Sequence, residues 1–162
     1  MNALSMSAIS ADLSNPDWWT RISTEVALRH AGAAALDGLI ALLDDSAQPN
    51  DARWRAAHAL GMIGEKRALP HLIAALRDPS SDVQYFAAWA LGKIGDGQSF
   101  TALADVLNSP TIEEQANFAA AMSLAQIDRR RGLDVLRAAL NGDNDAARRV
   151  AMGALATLEA SW

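Results

Sequence analysis

Ala59-Leu60-Gly61-Met62-Ile63-Gly64 returns 31 residues later as Ala90-Leu91-Gly92-Lys93-Ile94-Gly95. Fainter copies follow at Ser123-Leu124-Ala125 with Ile127, and at Ala154-Leu155-Ala156 with Leu158. A second pattern begins about ten residues after each Ala-Leu-Gly, with large apolar residues at i, i+3 and i+7. It reads Leu69, Leu72, Leu76, then Phe100, Leu103, Leu107, then Leu133, Leu136, Leu140, with an earlier copy at Leu36, Leu39, Leu43. That spacing puts the three side chains on one face of a helix. Two unlike helical patterns therefore alternate at a fixed period, which is the signature of stacked repeats. One such hairpin cannot bury its apolar stripe alone, whereas a stack can.

Punctuation residues place the boundaries. Pro49, Pro79 and Pro110 precede helices of the first kind, and Gly64 and Gly95 stand where those helices must end and turn. Ser81 with Gln84, and Thr111 with Glu114, have the spacing of capping boxes. The resulting map has first-kind helices near 17–31, 51–63, 81–94, 112–127 and 145–158. Second-kind helices fall near 34–45, 67–77, 98–108 and 131–141. We expect an all-α solenoid of about four and a half hairpins, each first-kind helix turning at its glycine into the second-kind helix that follows. Residues 1–16 read as a flexible or capping lead, and 17–162 as a single domain.

Glycine inside a helix costs up to about 1 kcal/mol against alanine, so Gly61 and Gly92 need a reason. Alanine replaces them at 125 and 156. The position thus takes only a minimal side chain, and the expected cause is close approach of the paired helix. Leu60 and Leu91, one residue earlier, belong to the core.

Composition narrows the function classes. The 162 residues are 51% hydrophobic and 20% charged, so a packed core is expected and disorder is not. A formal charge of -5 argues against non-specific nucleic-acid binding. The arginines at 129, 130, 131, 137, 148 and 149 are interspersed with Asp134, Asp143 and Asp145, which reads as a solvated rim. No cysteine is present, so disulfides and thiolate chemistry are excluded, and the expectation is a cytoplasmic protein. No apolar run reads as long enough for the roughly 20 residues that cross a bilayer.

Val or Ala, Ala-Ala, Ala-Leu-Gly-x-Ile-Gly and then Leu-x-x-Leu resembles the HEAT-like repeats of phycobilisome lyases. The pattern here is Ala52, Ala56-Ala57, residues 59–64 and Leu69-Pro70-His71-Leu72, then Val83, Ala87-Ala88, residues 90–95 and Phe100 to Leu103. The resemblance covers most of 17–158. It implies a right-handed αα-superhelix and a family that includes bilin lyases, scaffolds and deoxyhypusine hydroxylase. The hydroxylase resemblance would carry His-Glu pairs for a di-iron centre near the first helix start. The matching positions are Arg53-Trp54, Gln84-Tyr85, Asn117-Phe118 and Arg148-Arg149. None is a His-Glu pair, so that activity is not carried over.

Aligning the copies exposes one unusual column. Trp54 with His58, Tyr85 with Trp89, and Phe118 with Met122 are all i, i+4 pairs, so each shares a helix face. Two readings stand. The pairs form a binding surface, with Arg53 and Arg55 beside Trp54 to meet a carboxylate or stack on a conjugated ligand; or they pack between neighbouring hairpins. His30, His58 and His71 share no repeat position, so no metal site is expected. No serine sits in a strand-turn-helix elbow and no phosphate loop occurs, so no catalytic residue and no cofactor is assigned. Trp18, Trp19 and Trp162 read as covers for the ends of the stack or as an end-to-end dimer contact. The function these features imply is a non-catalytic scaffold or adaptor for a protein partner. The alternative is a bilin-binding, lyase-like protein.

Overall fold

The computed structural model describes residues 6–109 and 112–160. Pro110, Thr111 and Trp162, to which boundary and capping roles were given above, lie outside them. The described residues form ten α-helices: α1 (Met6–Leu13), α2 (Trp18–Ala31), α3 (Leu36–Asp44), α4 (Asn50–Ile63), α5 (Leu69–Ala75), α6 (Ser81–Ile94), α7 (Phe100–Leu107), α8 (Glu114–Ile127), α9 (Arg129–Leu140) and α10 (Asp145–Glu159). The map read from the repeats agrees with nine of them. The tenth, α1, falls in the stretch 1–16 read as a flexible or capping lead. Its Ile9 and Leu13 are buried, and it packs on α2, α3 and α4.

The chain is an αα-solenoid with two rows. The first row is α2, α4, α6, α8 and α10; the second is α1, α3, α5, α7 and α9. Between the rows α3 packs on α4, α5 on α6 and α7 on α8, the first two pairs joined through the loops that carry Pro49 and Pro79; at the C-terminal end α9 packs as closely on α8 before it as on α10 after it. From α3 to α7 the expected phase was the opposite one, whereas α8 packs on the α9 that follows it, as expected. The glycine turns lead from one hairpin to the next, while the proline loops lie inside the hairpins. Gly64 and Gly95 end α4 and α6 in the left-handed region, with φ of 79° and 70°, where only glycine sits without strain.

The core is a double line of leucines. Leu60, Leu91 and Leu124 from the first row meet Leu39, Leu72, Leu103 and Leu136 from the second, all fully buried. Each contributes about 1.5–3 kcal/mol relative to exposure. Close approach explains the mid-helix glycines, but the neighbour is not the hairpin partner. A Cβ on Gly61 would fall 2.7 Å from the Ala90 Cα, and one on Gly92 would fall 2.7 Å from the Ser123 Cβ. Both contacts run between consecutive first-row helices. Ser123 donates its hydroxyl to the Ala88 carbonyl at 2.9 Å, so the buried oxygen is satisfied. Along the first row α4, α6 and α8 touch over their length; α3 meets α5 over a short stretch only. From α4 to α8 the first row is therefore the more closely packed of the two. Where Ala125 replaces the glycine, α8 and α10 meet over a shorter stretch.

Two local expectations are corrected. The stretch Trp18–Asp44 does pass by length and composition for a membrane-crossing run. Gly32, at φ 54°, breaks it into α2 and α3, and Leu36, Leu39, Leu42 and Leu43 are buried in the core. The Ser81–Gln84 capping box does not form. Ser80 is the cap residue, without a side-chain bond, and Gln84 Nε2 donates to the Asp78 carbonyl at 2.6 Å.

Candidate functional site: the aromatic face of the first row

Alanines and glycines pack the first-row helices so closely that their bulky residues are driven to the solvent side. Trp54, His58, Tyr85, Trp89, Phe118 and Met122 all emerge there, each half-buried. The rings pack across the helix gap, as one of the two readings has it, and keep an outer face open.

The ladder is densest between α4 and α6. Trp54 stacks on Phe86 with ring centres 4.5 Å apart and planes 16° from parallel. His58 sits between Phe86, at 5.6 Å, and Trp89, at 4.8 Å. Tyr85 meets Phe86 edge-on at 5.0 Å. Phe86 was missed by the sequence reading. The contact is staggered by one residue, so position 54 of one copy meets position 86 of the next, and a column-by-column alignment does not show it. Cations lie over the outer rings: the Arg55 guanidinium is 4.0 Å from the Trp54 ring centre, and Lys93 Nζ is 5.4 Å from that of Trp89.

Arg53, expected on this surface, is not there. It is 4% exposed and grips Asp78 with two bonds of 2.6 Å, with Asn50 as a third partner at 3.3 Å. Two residues along a helix is a turn of about 200°, so when Arg55 faces outward Arg53 faces inward. The same column pins loops elsewhere. Asn117 donates to the Ile112 carbonyl at 3.3 Å, and Arg148 to the Gly142 carbonyl at 2.6 Å.

Glu25 on α2 closes one side of the face. It receives Arg55 at 2.5 Å and faces His58 Nδ1 at 3.5 Å. Burial on its own would raise the Glu25 carboxyl, but the hydrogen bonds from His58 and Arg55, with the Arg55 charge, outweigh that and hold it below its usual 4.5. Toward α10 the large residues give way. The fourth copy has Arg149 and Gly153 where the others have rings or Met. An open recess of about 500 Å³ results, bounded by Tyr85, Phe118, Val150 and Gly153. Arg149 pairs with Glu114 across its rim at 3.3 Å.

His30 is exposed on α2, and His71 bonds Asp44 at 2.7 Å in the second row. Among the described residues no three His, Asp or Glu side chains converge as metal ligands would. Arg148 and Arg149 each hold an acidic partner, Asp145 and Glu114.

The comparisons with known proteins agree with this architecture. No curated protein matches the chain. Among solved structures it is similar to the complex of CpcE and CpcF of phycocyanin lyase from Nostoc sp. PCC7120, at 25% identity over 94% of this chain and 76% of that one, with a TM-score of 0.53. It is similar in fold to human deoxyhypusine hydroxylase in complex with glycerol, at 23% identity and a TM-score of 0.61; 93% of this chain spans 61% of that one. A designed armadillo repeat protein in complex with the peptide (KR)4 has the same kind of fold, at 21% identity over 93% of this chain and 80% of that one, with a TM-score of 0.50. The family model for HEAT repeats matches residues 7–82, 36–116 and 69–156, with starts that fall at the α1–α2, α3–α4 and α5–α6 pairs, and the chain belongs to the HEAT-repeat family.

Proposed function

We propose that this HEAT-repeat chain handles a linear tetrapyrrole, as a lyase-like protein or a lyase subunit, and that the ligand lies on the aromatic face of the first row. The observation that carries the reading is the cation-flanked ladder of Trp54, Phe86, His58 and Trp89. The likeness to a phycocyanin lyase complex supports it. A conjugated open-chain pigment offers flat apolar area and carboxylates. Rings held in place give contact at little ordering cost, and Arg55, Lys93 and Arg149 supply positive charge at the edges. His58, its Nδ1 toward Glu25, adds a further ring face beside Phe86 and Trp89. The setting this reading carries with it is cytoplasmic.

The experiment is a titration with biliverdin, read by the visible absorbance of the pigment and by tryptophan fluorescence. The wild-type chain should perturb the pigment spectrum and lose fluorescence at micromolar ligand. A Tyr85→Ala/Trp89→Ala variant of unchanged helicity should need at least ten times more ligand. No spectral change well above micromolar concentration rejects the reading.

A second reading is a protein adaptor using the same face. It is favoured by the form of that face, an open strip across α4, α6 and α8 where ring-rich contacts commonly dominate binding. Capture of a protein from native extract by the wild-type chain, lost in the same double variant, is its test. Capture that the variant leaves unchanged would place the adaptor surface elsewhere.

A further inference from the structure

The first helix of the first row has an outer face that nothing among the described residues covers. On α2, Trp18 and Trp19 are each 63% exposed, Ile22 44% and Val26 39%. Leu28, on the opposite side, is fully buried. At about 100° per residue, Ile22 and Val26 run down the middle of the exposed stripe. Trp18 and Arg29 lie along one edge of it, and Trp19 and His30 along the other, all exposed. Apolar area thus fills the N-terminal half and the middle, and basic groups fill the C-terminal end. Asp17, the exposed N-cap, makes the start of the helix acidic.

We infer that this stripe is a two-fold interface for a second copy of the chain, with the two α2 helices antiparallel. The pattern is self-complementary about Thr24. At about 1.5 Å of rise per residue, Ile22 and Val26 lie about 3 Å on either side of that midpoint. A two-fold axis there sets Ile22 against Val26 of the other copy. Residues about 7.5 to 9 Å below the midpoint then meet those about 7.5 to 9 Å above it, on the same edge of the stripe. Trp18 meets Arg29 on one edge and Trp19 meets His30 on the other. The Trp18 indole gains the Arg29 cation, a favourable pairing, and Trp19 gains the imidazole face of His30. The helix dipoles of the two copies run opposed. A two-fold contact uses one patch twice, so it closes without leaving an open end. Ile22, Val26 and Arg29 share a recess with His58, so the stripe borders the aromatic face, but the inference does not require the ligand proposed above.

Sedimentation equilibrium of the full chain over a micromolar to millimolar series tests this. The wild-type mass should rise from 17.2 kDa to twice that value. An Ile22→Asp/Val26→Asp variant, altered only on the exposed face and checked for helicity, should stay monomeric throughout. The cysteine-free sequence allows a register test. An oxidised mixture of Ile22→Cys and Val26→Cys chains should give severalfold more mixed disulfide than either chain gives alone. A wild-type mass that stays at one chain overturns the inference. So does equal cross-linking in all three samples, or a monomer that instead co-sediments with phosphatidylcholine vesicles, which would assign the stripe to a lipid surface.

Discussion

Glycine-to-alanine changes at 61 and 153 should move stability in opposite directions, although both sit inside first-row helices. In an open helix this change gains about 1 kcal/mol of helix propensity. A Cβ at 153 meets only the Phe118 ring, at 3.7 Å. That is ordinary contact, so Gly153→Ala should keep most of the gain. At 61 the added carbon falls 2.7 Å from the Ala90 Cα and 3.0 Å from the Trp89 ring. The ring can swing aside but the backbone cannot, and α4 and α6 must separate by several tenths of an ångström. Overpacking of this kind costs about 1–3 kcal/mol. Set against the propensity gain, Gly61→Ala should come out destabilised by up to about 2 kcal/mol. With about 2.1 cal/mol/K of unfolding entropy per residue, 162 residues make 1 kcal/mol worth about 3 °C in Tm. The two variants should therefore differ by about 3–9 °C in a thermal melt followed by circular dichroism. If Gly61→Ala raised Tm as much as Gly153→Ala, the close approach of the first-row helices would be wrong, and with it the account of why glycine recurs there.

Two further outcomes follow from the ion pairs. Asp78→Ala strips the buried Arg53 of both its 2.6 Å bonds and should cost about 3–5 kcal/mol, read as a fall in the urea midpoint with the slope unchanged. Glu25 is held below its ordinary 4.5, so its contribution is present above that value and is lost as pH falls through the lower, folded one. Glu25→Gln should therefore flatten the acid side of a Tm-against-pH profile, leaving the part that comes from other lowered carboxyls such as Asp96. An acid limb as steep as that of the wild type would show that Glu25 gains nothing from His58 and Arg55.

The repeat was legible because its cause is local and periodic. Small residues recur where backbones touch, and leucines recur where the two rows face each other. The phase of the hairpins was not legible. Gly64 and Pro79 mark where helices stop, but a terminator does not say which neighbour a helix packs on. Helix α1 escaped notice because it is short and its large buried side chains are Ile9 and Leu13, and two positions make no period. At the candidate site, the column of paired aromatics was readable from i, i+4 spacing. Arg53 and Arg55 were not distinguishable, since both flank Trp54 in sequence and their roles depend on an acid 25 residues away at Asp78 and another 30 away at Glu25. Phe86 could have been found by asking which residues meet across a one-residue stagger between copies.

The claim that the first-row aromatic face is where a ligand lies is tested most directly by nuclear magnetic resonance of the indole N–H groups, with nitrogen-15 tryptophan and added biliverdin. The signals of Trp54 and Trp89 should shift or broaden together, saturating at one ligand per chain, while those of Trp18 and Trp19 hold their positions. Saturating ligand that moves Trp18 and Trp19 but leaves Trp54 and Trp89 untouched would contradict the claim.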